Sequence, residues 1–164
     1  ILVVAAYALL CFLYGAWKNW KEYYPTFLYV LVGDLAYNFI FYDKALWEYN
    51  KLVSHTFSDF LIAAVAFPCA IILFLTHYPS KMWKQAVYIL FWTAINTAVE
   101  YASYRLGFIV YSNNWNIVWS LVLYCIAFIL IRVHYLKPLA VWPISFALAY
   151  ITMLIFGVPL IGLK

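Results

Sequence analysis

Six apolar runs leave this chain few folds to choose from. Each approaches the roughly 20 residues that carry a helix across a bilayer. They cover residues 1–16, 26–42, 57–76, 85–106, 115–133 and 138–160. Backbone N–H and C=O groups in hydrocarbon must be satisfied within the segment, so such runs fold as helices. The stretches between them, WKNWKEYYP, DKALWEYNKLVSH, HYPSKMWK, GFIVYSNNW and HYLKP, are short. Neighbouring helices are therefore predicted to run antiparallel and in contact. The expected fold is all-α, a single-domain polytopic transmembrane helical bundle over 1–164 with about six spans.

Composition excludes the soluble alternatives. Charged residues make up 10% of the chain, against about 25% in soluble domains. The 10 basic residues are scattered among apolar runs, so no basic face exists to bind nucleic acid. Aromatic residues reach 23%, and such rings collect where apolar and wet regions meet. Cys11, Cys69 and Cys125 all lie in apolar stretches without metal-ligand spacing. They read as buried thiols, and no cofactor or metal is predicted.

Punctuation refines the elements. Pro25, Pro79 and Pro138 are expected at or near helix starts, where a missing N–H costs little. Pro68 is expected to kink the third helix, and Pro143 either kinks the sixth or sits in its first turns. Asn113 or Asn114 is a candidate cap for the fifth. In KALWEYNKLVS, Leu46, Tyr49, Leu52 and Val53 oppose Lys44, Glu48 and Lys51. That pattern predicts a short interfacial helix between spans 2 and 3, an anchor or a lid.

Orientation follows from Lys and Arg. The odd-numbered loops carry Lys18, Lys21, Lys81, Lys84, Arg132 and Lys137; the even-numbered loops and C-terminus carry Lys44, Lys51, Arg105 and Lys164. The odd loops are expected in the cytoplasm and both termini outside. The chain begins at Ile1 rather than Met, so preceding residues are expected, and a basic segment among them would reverse the orientation.

Polar groups inside the spans are costly and must face protein or water. Asp34 and Asn38 share a face in the second span, with Gly33 expected to admit a neighbouring helix. His55 and Asp59 open the third, followed by a seam of Ala63, Ala66 and Ala70. The fourth carries the stripe Thr93, Asn96, Thr97, Glu100 and Tyr104, with Arg105 at its end; Asn116 and Ser120 open the fifth. Antiparallel connection puts these groups in one half of the membrane, toward the even-numbered loops. The other half is expected to offer only basic loops and His77 or His134 near its boundary.

The candidate site is therefore Asp34, Asn38, His55, Asp59, Asn96, Thr97, Glu100 and Arg105. Its carboxylates and amides suit binding or passage of a cation or proton, as in a small channel, transporter-like protein or accessory subunit. A membrane-embedded enzyme acting on a lipid or lipid-linked substrate is the alternative, with the same acids as acid–base groups or metal ligands. A purely structural membrane subunit is the third. Within the structural reading, Glu100 pairs with Arg105 or bonds a neighbouring helix, and Asp34 is a protonated carboxyl bonded to a Tyr. Membrane lipids are the expected partners, with a second copy or another membrane protein, since one protomer of this size leaves little room for a pathway.

The phrases WKNWKEYYPT, GDLAYNF with LWEY, HTFSDF, WNIVWS and RVHYLKP resemble, in order and spacing, a group of small uncharacterised multi-spanning membrane proteins of Bacillus-like spore-forming Gram-positive bacteria. The resemblance runs from Trp17 to about Trp142. It implies a multi-pass protein of a bacterial cytoplasmic membrane, or of a spore membrane. It carries no site residues with it.

Overall fold

The computed structural model describes residues 2–15, 17–49 and 55–158; the side chains of His55, Thr56 and Ser58 are outside that description. Six helical rods account for most of the chain. They are α1 (Leu2–Tyr14), α2 (Trp20–Ile40), a third rod made of α3 (His55–Leu61), a π-helical turn (Ile62–Ala66) and α4 (Phe67–Thr76), then α5 (Met82–Arg105), α6 (Ile117–Leu136) and α7 (Pro138–Phe156). Two short strands, β1 (Trp47–Tyr49) and β2 (Ile109–Tyr111), pair antiparallel although α3, α4 and α5 lie between them in the chain, forming a long-range hairpin.

Three helices among the described residues are long and apolar enough to cross a membrane: Asp59–Thr76, α6 and α7. A fourth crossing results if α1 and Trp17–Ile40 act as one bent span. This narrows the expected six. At 13 residues, α1 is about 20 Å long, short of the roughly 30 Å hydrocarbon core. By contrast α5, with 24 residues, has the length, and its polar stripe removes the apolarity. Much of the outward surface is apolar: Leu2, Met82 and Leu139 are each more than four-fifths exposed, and many aromatic rings are partly exposed. An apolar exterior of this extent suits lipid rather than water.

Local chemistry explains where the elements differ from expectation. Helix α2 begins at Trp20, so Pro25 lies inside it rather than at its start. Before Pro68 the helix widens into the π turn, and Phe67 N–H bonds the carbonyl of Ile62, five residues back. The wide turn makes room for a ring that would clash with the carbonyl of residue i−4. Asn116, not Asn113 or Asn114, caps α6 by accepting from Val118 N–H. Asn113 and Asn114 instead have positive φ, 51° and 66°, and turn the chain ahead of the cap. The described part of the expected interfacial helix is turn and strand: Glu48 pairs with Val110, and Trp47 with Tyr111. Its remainder, 50–54, is outside the described residues.

Two cores organise the bundle. The larger surrounds Phe74, which is fully buried, and joins Cys11 of α1, Tyr23 of α2, Ile71–Leu75 of α4 and Phe128 of α6. Gly15 lets α1 approach α4, because a Cβ there would meet Cys11 O at 2.6 Å and Ile72 Cγ2 at 3.1 Å. The alanine seam serves the same contact: Ala63 and Ala66 are buried, and α1 packs on the π turn and α4. Gly33 does not do what was expected of it, since a Cβ there would meet nothing within 4 Å. The smaller core closes the hairpin end with Phe41, Leu46, Trp115, Met153 and Phe156. There Trp47 stacks on Tyr37 at 4.1 Å. Lys44 Nζ donates to the Phe156 carbonyl at 2.6 Å, capping α7 ahead of the left-handed Gly157.

Candidate functional site

Glu100 is the centre of the site. It lies near the end of α5, which packs antiparallel on α6, so its turn faces the opening turns of α6. Ser120 and Tyr124 sit four residues apart there and present their hydroxyls together. Tyr124 Oη donates to Glu100 Oε2 at 2.6 Å. Ser120 Oγ donates to Oε1, and Tyr111 Oη of β2 donates to the same oxygen at 2.7 Å. Ser120 is in turn fixed by Trp115, whose Nε1 donates to its Oγ at 2.9 Å. Tyr104, the last member of the stripe, stacks on Tyr111 with centroids 4.6 Å apart. Three O–H donors thus enclose one carboxylate, a shell that stabilises negative charge.

The stripe continues inward from Glu100. Asn96 Nδ2 donates to Trp92 O, and its Oδ1 accepts from Tyr7 Oη of α1, both at 2.8 Å. Thr97 is also buried at its hydroxyl. Outward, Arg105 does not pair with Glu100; its Nη1 donates to Tyr101 Oη at 3.2 Å, in a groove shared with Tyr104, Gly107 and Val110.

The other acids converge on the hairpin. Tyr49 of β1 lies within electrostatic reach of Asp59, Asp34 and Glu100 together. Burial first, then those three carboxylates, raise its hydroxyl well above the ordinary tyrosine value. Tyr111 is raised as well, by burial and then by its bond to Glu100. Asp34 and Asp59 are close enough for their charges to interact. Tyr37, one turn beyond Asp34, accepts from Leu46 N–H at 3.1 Å and so ties the hairpin to α2.

Of the residues predicted from sequence, Asp34, Asp59 and Glu100 all act electrostatically on Tyr49, while Asn96 and Thr97 lie on α5 within about a turn of Glu100. Asn38 is spent locally, donating to the Asp34 backbone carbonyl at 3.1 Å. Arg105 faces away, and the His55 side chain is outside the described residues. Tyr49, Tyr111, Trp115 and Tyr124 escaped the sequence reading. Among 16 tyrosines and 8 tryptophans, only their partners single them out. Among the described residues no three His, Cys, Asp or Glu side chains are arranged to hold a metal ion.

The opposite half is not bare, contrary to expectation. Thr26 Oγ1 and His134 Nδ1 share a buried hydrogen bond of 3.1 Å, and Tyr29 stacks on His134 at 4.4 Å. Tyr29 Oη bonds Ser145 Oγ at 2.7 Å. Nearer that end, Tyr135 donates to Glu22, and Arg132 lies 4.3 Å over the Tyr78 ring.

Comparison with protein-family models, curated proteins and solved structures gives no match in any of the three. The chain's own geometry carries the functional reading.

Proposed function

We propose that this membrane protein handles protons at its hairpin end, as a transporter-like protein or accessory subunit, with Glu100 as the exchanging group and Asp34 and Asp59 as its partners. One observation carries the reading: carboxylates from α2, α3 and α5 all act electrostatically on a single buried phenol, Tyr49. Concentrating negative charge there favours a positive occupant. The shell around Glu100 selects which one. Its oxygens already accept from Tyr111, Ser120 and Tyr124. A metal ion would have to displace those hydrogens, whereas a proton is passed between hydroxyl and carboxylate without moving the helices. The resemblance to proteins of spore-forming Gram-positive bacteria leads us to assign a bacterial cytoplasmic membrane.

The test is proton movement in sealed liposomes holding the purified protein, read with an internal pH dye under an imposed potential. Wild type is expected to acidify the lumen at least tenfold faster than Glu100→Gln, with Asp34→Asn intermediate. Wild-type vesicles as tight as protein-free ones would end the proposal.

A structural reading has its own support: the hydroxyl shell joins α5, α6 and β2 through the protein's own side chains. It predicts that Glu100→Gln changes thermal stability alone.

A further inference from the structure

The stripe on α5 holds an anomaly below Glu100. Thr93 Oγ1 and Thr97 Oγ1 are buried and have no hydrogen-bond partner among the described residues, and Trp92 Nε1 beside them has the Tyr88 hydroxyl within reach but no well-formed hydrogen bond. Thr93 is only 3% exposed. Buried polar atoms are paired in the great majority of cases, and leaving one bare costs the whole of its desolvation.

The helix itself offers a remedy that these residues decline. Elsewhere in this chain Ser103, Ser145 and Thr152 donate to the carbonyl four residues back, at 2.9, 3.0 and 2.8 Å. Thr93 and Thr97 could do the same toward Ile89 and Thr93. Both hydroxyls turn elsewhere, and they lie one turn apart on the same face as Asn96 and Glu100.

We infer that this face binds water between α5 and its neighbours, extending the polar site from Glu100 down to Trp92. The donor set identifies the ligand. An indole N–H only donates, which turns away a cation, and Glu100 one turn above Asn96 turns away an anion. Water accepts from the indole and still exchanges hydrogens with both threonines. Its extent is set from the other side. Trp92 packs at 5.7 Å from Phe128 and 6.0 Å from Phe74, against the larger core, and that aromatic packing bounds the polar face. The site is thus wet from the hairpin end as far as Trp92 and dry beyond. This rests on the proton reading for its role, not for its existence.

Solid-state NMR of the protein in deuterated lipid, with labelled threonine and magnetisation transferred from water, tests it directly. Thr26 is the internal dry control, being 2% exposed and bonded to His134. Thr93 and Thr97 signals, assigned with Thr93→Val and Thr97→Val, are expected to grow at least threefold faster than Thr26. Thr97→Ser should keep the fast transfer seen at Thr93. Growth no faster than Thr26 would overturn the inference, whatever the liposomes do. Fast transfer with proton-tight liposomes would uphold the water and remove the proton reading.

Discussion

The two ends of the bundle solve the same problem, polar groups among apolar helices, by different chemistry. At the hairpin end an acid is kept inside by surrounding it with donors from α6 and β2. Toward the other end Thr26 pairs with His134 and Tyr29 with Ser145, while the charged Glu22 and Arg132 are held outside those pairs by Tyr135 and Tyr78. A closed set of neutral pairs satisfies itself and has nothing left to exchange. The carboxylate site gathers like charges that repel, and Asp34, Asp59 and Glu100 all act on Tyr49. Structural economy does not call for that arrangement; the proposed proton exchange would.

The sharpest way to break this contrast is to remove both centres. Glu100→Leu strands three hydroxyl donors at about 1–3 kcal/mol each and should cost at least about 3 kcal/mol. His134→Leu strands Thr26 alone and should cost about 1–3 kcal/mol. Denaturant unfolding in detergent measures both, and equal losses would mean the two networks are alike.

Alkali comes next in size. Tyr49 and Tyr111 are raised from an ordinary 10.0. A raised folded value gives stability that is fully present below pH 10 and is lost as pH rises through the folded values. Tyr49, the more buried of the two, should remove up to about 1.4 kcal/mol per pH unit across that window, and Tyr111 less, because solvent screens it. Thermal midpoints should therefore fall between about pH 10 and 11, less steeply in Tyr49→Phe/Tyr111→Phe. An unchanged slope in the double variant would show that these phenols are not held neutral by burial and the neighbouring acids.

The smallest effect sharpens the neutral end. Tyr29→Phe leaves Ser145 donating to Val141 O at 3.0 Å, so no donor is stranded. A loss of about 0.5–1 kcal/mol is expected. A loss above about 2 kcal/mol would reveal a coupled network where simple pairs are described here.

Sequence by itself determined the class and the helices. Apolar runs of this length have one low-cost backbone solution away from water, and the six rods fall where those runs lie. It also singled out Asp34, Asp59 and Glu100, because charge in such a run is costly wherever it sits. The hairpin was out of reach. Leu46, Tyr49 and their neighbours fit an amphipathic helix as well as a strand, and only pairing of Trp47–Tyr49 with Ile109–Tyr111 chose between them. The same pairing brought Tyr49 to the acids and Tyr111 to Glu100. The second polar network was hidden for a related reason: Thr26 and His134 lie 108 residues apart, and nothing local to either announces the other. Local pattern fixes what a segment becomes, because backbone bonding and burial act over a few residues. Which hydroxyl meets which carboxylate is decided by packing between segments far apart in the chain, and that information exists only once the helices have docked.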